Sequence, residues 1–163
     1  MGRPYPVGPV IDRVSKEGDP KAFRFAHPRV EGYDYSFSGL KTSFLYTLRD
    51  AVAADPDFIE THKADLCASL QGTIVEILLD KLIRASKETG IRDIASAGGA
   101  SATSGLRDGR AEAGRRRGWR TFLPEFKFTT DNAAMIAMAG YYRYLRGDFS
   151  SLDVSPVARL EEL

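Results

Sequence analysis

Residues 91–137 read IRDIASAGGASATSGLRDGRAEAGRRRGWRTFLPEFKFTTDNAAMIA. Ile91 to Ala97 predicts a short strand, and Gly98-Gly99 a sharp turn after it. Thr103 to Gly118 predicts a polar helix. Arg120 to Leu123 predicts a second strand, stopped by Pro124. Thr129-Thr130 reads as a strand end, and Thr130 or Asp131 as the cap of a helix reaching about Arg146. Strand, helix, strand, helix argues for an α/β layer with parallel strands. Ala133, Ala137 and Gly140 fall near one face of the last helix and predict close packing there.

Working outward, residues 1 to 9 are rich in Pro and Gly and predict an irregular entry. A short helix is expected over Val10 to Lys16. Phe23 to Phe25 and Tyr33 to Phe37 alternate apolar with polar residues and predict short strands. Ser38-Gly39 predicts a turn, with Ser38 capping a helix from Leu40 to about Ala54. Asp55-Pro56-Asp57 ends that helix. A long helix is expected from about Ile59 to Thr89, with Leu66, Leu70, Ile74, Ile77 or Leu78, and Leu82 at helical spacing and Gly90 as its C-cap. The tail from Phe149 predicts no regular structure.

The 163 residues suit one domain, and a net charge of +1 calls for no nucleic-acid or membrane partner on electrostatic grounds alone. Cys67 is the single cysteine, expected to be a buried structural thiol. No signal peptide and no membrane-spanning window is evident, so a cytoplasmic location is expected. The Pro-rich opening reads as the back part of a longer protein, which would leave a sheet edge unpaired.

Several clusters are able to carry chemistry. A helix start at Thr130-Asp131 attracts anions, but a carboxylate beside a phosphate needs a cation between them. This points to a metal-bridged phosphate site, with a plain N-cap as the alternative. Gly98-Gly99 lets a nucleotide approach the backbone, or is simply a tight turn. Gly8, between two prolines, and Asp12 are placed to face a ligand, with the carboxylate on ribose hydroxyls; the alternative is a helix entry with Asp12 paired to a neighbour. Ser36, Ser38 and Lys41 either face a ligand or form a solvated, capped turn. Arg110, Arg115, Arg116, Arg117 and Arg120 form a solvated helix face or contact RNA phosphates. Tyr141, Tyr142 and Tyr144 stack bases or, for at least one, pack in the core. His27 and His62 lie in unrelated contexts and read as structural or surface residues. No nucleophile elbow is present.

Taken in order, four blocks resemble one family. They are Tyr5-Pro6-Val7-Gly8-Pro9-Val10-Ile11-Asp12-Arg13, Tyr35-Ser36-Phe37-Ser38-Gly39-Leu40-Lys41-Thr42, Ala97-Gly98-Gly99 and Thr130-Asp131-Asn132-Ala133-Ala134-Met135-Ile136-Ala137. Their order is similar to the back half of the TsaD family, also called Gcp or YgjD. The resemblance implies that residues 1–163 are the C-terminal part of a domain of the actin/Hsp70/sugar-kinase (ASKHA) superfamily, a ribonuclease-H-like lobe without its first strands. It implies transfer of a threonylcarbamoyl group from threonylcarbamoyl-AMP to N6 of the adenosine beside the anticodon, in tRNAs that read codons beginning with A. An older label for the family is a metal-dependent O-sialoglycoprotein endopeptidase, and a non-catalytic nucleotide-binding or docking module is a further alternative.

By the same resemblance, Gly8, Asp12, Gly98, Gly99 and Thr103 are expected to bind the nucleotide, whether ATP, ADP or threonylcarbamoyl-AMP. Asp131 is expected to be one ligand of a divalent iron or zinc ion whose two histidines lie in a front half. No catalytic residue is carried over. Expected partners are tRNA, a TsaB-like paralogue and a TsaE-like ATPase, and no membrane. The chain departs from the family pattern at three places. The histidine pair is absent, Thr103 stands where the family has asparagine, and Val7 replaces the first of two glycines. These residues alone are therefore expected to be inactive.

Overall fold

A computed structural model describes residues 7–156. The entry predicted for residues 1 to 6, Tyr5 and Pro6 of the first block, and the tail beyond 156 lie outside the described residues. Helix α1 spans Val7–Val14 and runs into a 3-10 turn, Ser15–Glu17. Then come α2 (Ser38–Ala54), the single turn α3 (Phe58–Thr61) and the long α4 (Lys63–Thr89). Strand β1 (Asp93–Ala95) leads through a 3-10 turn (Gly99–Ala102) to α5 (Ser104–Arg117) and β2 (Arg120–Phe122). A last 3-10 turn (Phe126–Phe128) precedes α6 (Ala133–Leu145).

The expected strand–helix–strand unit forms, with β1 and β2 parallel and Asp93, Ile94 and Ala95 opposite Arg120, Thr121 and Phe122. These two strands make up the whole sheet among the described residues. Arg120 forks onto Asp93 across the register and holds that carboxyl below its usual range. Ile94, Ala113 and Trp119 form a small core, with Leu82 and Ile83 of α4 packed against it.

Helix α4 is the spine. It buries Leu66, Cys67, Ala68 and Ile77, as the apolar spacing and the lone thiol predict. Helix α1 packs on one part of it and α5 on another. Gly90 ends α4 in the left-handed region at φ 73°, which a side chain disfavours. The approach of α5 is close. A Cβ at Gly109 would sit 2.8 Å from Leu79 Cδ1, and one at Gly105 would sit 2.8 Å from Gln71 Nε2.

Several expectations are corrected. The first helix begins at Val7, not Val10, because Pro9 fits a first helical turn, where its missing N–H is not needed. The segments 23–25 and 33–37 are not strands. Their backbone and rings are held by helices instead: Phe23 N–H donates to Ser69 Oγ, Ala26 N–H to Ser43 Oγ, and Tyr35 Oη to the Leu78 carbonyl. Ser38 is inside α2, and its side chain caps nothing. The long helix is broken at His62 (φ −110°, ψ 18°), whose ring lies 4.6 Å from that of Phe58. Thr129 and Thr130 follow a 3-10 turn (Phe126–Phe128) as a bend and are not the end of a strand. Helix α6 buries none of its residues, and a Cβ at Gly140 would meet nothing within 4 Å, so the small-residue face packs on nothing among the described residues. Tyr141, Tyr142 and Tyr144 are all exposed rather than in the core.

Arg110 is neither solvated nor open to RNA. It is 3 % exposed and donates through Nη1 to Ser96 Oγ, while Nε and Nη2 have no partner among the described residues. Burial, and then the nearby Arg107, push its pKa down. A buried charge so poorly matched destabilises its surroundings. Arg110→Met is therefore expected to stabilise this chain by about 1–2 kcal/mol, read as a higher urea midpoint. A lower midpoint would show that the guanidinium contributes through packing or through a partner outside the described residues.

Candidate functional site: a cleft between α1 and the diglycine turn

The turn after β1 is shaped by one residue. Gly98 has φ 79° and ψ 171°, a conformation open only to glycine. Its carbonyl then accepts the N–H and the hydroxyl of the buried Ser101. This turn carries Gly99, Ala102 and Thr103 to the flank of α1. Together with Gly8, Pro9, Asp12 and Phe126 they line a hollow of about 170 Å³. An apolar hollow of about 150 Å³ adjoins it, sharing Gly8 and Thr103 and walled by Ile11, Leu70, Leu78 and Leu106.

The packing of the described residues does not require glycine at Gly8 or Gly99. Neither has a positive φ, and a Cβ on either would meet nothing within 4 Å. Gly8 even sits in a helical turn, where alanine is favoured by about 1 kcal/mol. Both leave bare backbone facing one cavity.

Asp12 is held from 92 residues away. Its Oδ1 accepts the backbone N–H of Ser104 at 3.0 Å and the Ser104 hydroxyl at 2.8 Å. Ser104 is the first residue of α5, and Thr103, at the N-cap, makes no side-chain cap bond. Asp12 thus supplies the anion that this helix start attracts. The second oxygen of Asp12 has no partner among the described residues. Sequence reasoning misses Ser104; a serine directly after Thr103 at a helix start is the available signal.

Of the residues proposed from sequence, Gly8, Asp12, Gly99 and Thr103 share this hollow. Gly98 shapes its turn without lining it. Asp131 does not line it; the nearest contribution from that part of the chain is Phe126, whose ring carries the Arg107 guanidinium at 5.1 Å. Arg107 also binds the carbonyls of Ser101 and Pro124, tying the two turns together. The cap of α6 is Asn132, not Thr130 or Asp131. Asn132 is extended (φ −154°, ψ 155°), and its Oδ1 accepts the Met135 N–H at 3.0 Å. Asp131 is exposed and is left without a capping task.

No group of three or more His, Cys, Asp and Glu side chains able to hold a metal occurs among the described residues. His27 lies beside Glu76, and His62 beside Phe23 and Phe58. One exposed carboxylate is not by itself a donor set for iron or zinc. No helix of the described residues is long and apolar enough to cross a membrane. Lys41 is exposed on the first turn of α2.

The model of a family described as "TsaD: tRNA N6-adenosine threonylcarbamoyltransferase" matches residues 1–138. A protein from Porphyromonas gingivalis named tRNA N6-adenosine threonylcarbamoyltransferase is 59% identical over 160 residues, covering 98% of this chain and 47% of that protein. Proteins of the same name from Phocaeicola vulgatus and Thermosipho africanus are 55% and 41% identical, with 98% and 99% of this chain covered and 47% and 48% of theirs. The chain thus spans about half the length of these curated relatives. With all four sequence blocks touching the matched region, and the first and third meeting at one cleft, the chain belongs to the TsaD family.

Proposed function

We propose that this chain is part of an acyltransferase that moves a threonylcarbamoyl group from threonylcarbamoyl-AMP to N6 of the adenosine beside the anticodon. The tRNAs would be those reading codons that begin with A. The observation that carries the reading is the pair Gly8 and Gly99. Two glycines that the packing of the described residues does not require line one hollow, with Asp12 beside them. The relatives' names favour the transferase over the peptidase label.

In this reading residues 1–163 form part of one lobe of an ASKHA domain, and the nucleotide is threonylcarbamoyl-AMP, or ATP or ADP in its place. The reacting bond is the carbonyl–oxygen bond of a mixed carbamic–phosphoric anhydride. The adenosine amine attacks that carbonyl, AMP leaves with the bonding electron pair, and the amine's proton passes to solvent. What these residues contribute is position. Gly8 and Gly99 admit the adenylate, Asp12 accepts from its ribose hydroxyls, and Thr103 offers one hydroxyl where relatives offer an amide. Holding the anhydride in register supplies much of the rate in such a transfer. Asp131 would be one ligand of a divalent metal completed by groups outside this chain, and such a metal would act there as a Lewis acid. A cytoplasmic setting, TsaB-like and TsaE-like partners, and inactivity of the 163 residues alone belong to the same proposal.

The test joins this chain to the part of the Porphyromonas gingivalis relative that it does not cover. The chimera is expected to modify tRNA and to bind AMP. Gly8→Val and Gly99→Val are each expected to weaken AMP binding about tenfold, equivalent to roughly 1.4 kcal/mol, with unchanged melting temperature. Unchanged AMP affinity in both variants would remove the cleft from the reaction.

A further inference from the structure

Another hollow, of about 430 Å³, lies elsewhere and is basic. Lys87 reaches it from the last turn of α4, Arg92 from the link into β1, and Arg116 and Arg117 from the last turn of α5. Its floor is Trp119. The buried indole N–H donates to Ser86 Oγ at 2.8 Å, and that hydroxyl donates to the Ile91 carbonyl at 2.6 Å. The floor is therefore fixed by buried hydrogen bonds, while the four cations stand in solvent.

Local charge does not account for them. Arg116 shares Glu112 with Arg115. Lys87, Arg92 and Arg117 have no carboxylate within ion-pair distance among the described residues. Two helix C-termini meet here and attract cations, but each carries only about half a negative charge. Glu88, already paired with Arg84 and Tyr33, also feels Lys87, so the unbalanced positive charge around this concavity rests chiefly on Arg92 and Arg117. The indole is too buried to stack on a base, so the site is suited to phosphate oxygens and not to base edges.

Its place gives the surplus a use. Arg92 and Trp119 precede β1 and β2, whereas the Gly8–Gly99 cleft follows β1. From Arg92 to Gly98 the chain advances six residues, at most about 20 Å of extended backbone. A polynucleotide easily spans that distance. We propose that Lys87, Arg92, Arg116 and Arg117 form an anchoring site for the phosphodiester backbone of the tRNA, apart from the nucleotide cleft. This rests on the tRNA-modifying reading above and deepens it: the contact is sequence-independent and positions the RNA while its reacting base lies elsewhere.

The experiment measures tRNA affinity against salt concentration for the same chimera, its Arg92→Gln/Arg117→Gln double variant, and an Arg24→Gln/Arg49→Gln control from another face. The site variant is expected to bind tRNA about tenfold more weakly at low salt, with the slope of log K against log salt reduced by about two. AMP affinity and melting temperature should match the parent, and the control should bind within about twofold of it. Equal losses in both variants would mean diffuse charge, and an unchanged slope in the site variant would overturn the anchor. Inorganic phosphate that stabilises the parent against heat, but not the site variant, without competing with tRNA would make the hollow a small-anion site and also overturn it. If the parent chimera neither binds nor modifies tRNA, the transferase reading itself fails, a result separable from the others.

Discussion

Gly18→Ala is expected to destabilise this chain by about 3 kcal/mol or more, enough to remove most of its cooperative unfolding transition. The added methyl would stand 2.2 Å from the carbonyl carbon and oxygen of Ala64 and 2.6 Å from the Asp65 nitrogen. These are backbone atoms of α4, and no rotamer change clears them. The backbone angles at Gly18 (φ −113°, ψ 166°) suit any residue, so the whole penalty is steric. The segment after Gly18 would lift with it. Asp19 N–H donates to Asp65 Oδ1 at 2.8 Å, the Asp19 carbonyl accepts from Ser69 Oγ at 3.1 Å, and Ser69 Oγ accepts the Phe23 N–H at 3.1 Å. Ser69 is completely buried, so losing those partners adds about 1–3 kcal/mol to the overpacking. Urea denaturation followed by circular dichroism checks this. Gly8→Ala is the matched comparison, since its methyl meets nothing and should leave the midpoint unchanged or slightly raised. A Gly18→Ala midpoint equal to the parent's would show that the contact of Gly18 with α4 yields without loss.

Much of the architecture is readable along the chain, and the reason is local punctuation. Gly90, Gly98, Pro124 and the charged run of α5 mark the ends of β1, α5 and β2 within a residue or two. The exceptions share one cause, which is that contacts between distant elements leave no local pattern. Residues 23–25 and 33–37 alternate as a strand does, but their rings meet α2 and α4 instead of a sheet, as the 5.1 Å pairing of Phe25 with Phe44 and the bond from Tyr35 to the Leu78 carbonyl show. Helix α5 reads as merely polar, although Gly105 and Gly109 are what let it lie close on α4. Helix α6 reads as the close-packing one, and its apolar side chains, such as Ile136 at 74 % exposure, lie open. Whatever covers them is not among the described residues. At the cap of α6 three adjacent candidates, Thr130, Asp131 and Asn132, have suitable side chains. Only the extended backbone of Asn132 puts an oxygen on the Met135 N–H. The cleft itself is partly readable, because Gly8, Asp12, Gly99 and Thr103 belong to motifs. The bond from Asp12 to Ser104 is not, since it closes over 92 residues.

That bond is one task of Asp12 and the proposed ribose contact is a second, and substitutions separate them. Asp12→Ala removes the acceptor of two hydrogen bonds and leaves the half-buried N–H and hydroxyl of Ser104 without it. A loss of about 2 kcal/mol in stability is expected. In the chimera, the same change takes away the carboxylate oxygen that has no partner among the described residues, and AMP should bind about 30-fold more weakly, the equivalent of about 2 kcal/mol for a hydrogen bond to a charged group. Asp12→Asn keeps a carbonyl oxygen in the Oδ1 position. It should retain most of the cap, within about 0.5 kcal/mol, because asparagine and aspartate cap helices nearly equally well. Its NH₂ group, however, replaces the free oxygen and cannot accept from a ribose hydroxyl, so the AMP loss should persist. Ser104→Ala gives the reverse pattern. It deletes one of the two bonds while the backbone N–H still reaches Asp12, so stability falls by about 1 kcal/mol and AMP affinity stays near the parent's. Calorimetric titration with AMP alongside thermal melts reads both quantities in each variant. If Asp12→Asn bound AMP as the parent does, Asp12 would be a cap for α5 and nothing more, and the ribose contact would have to be sought among Gly8, Gly99 and Thr103.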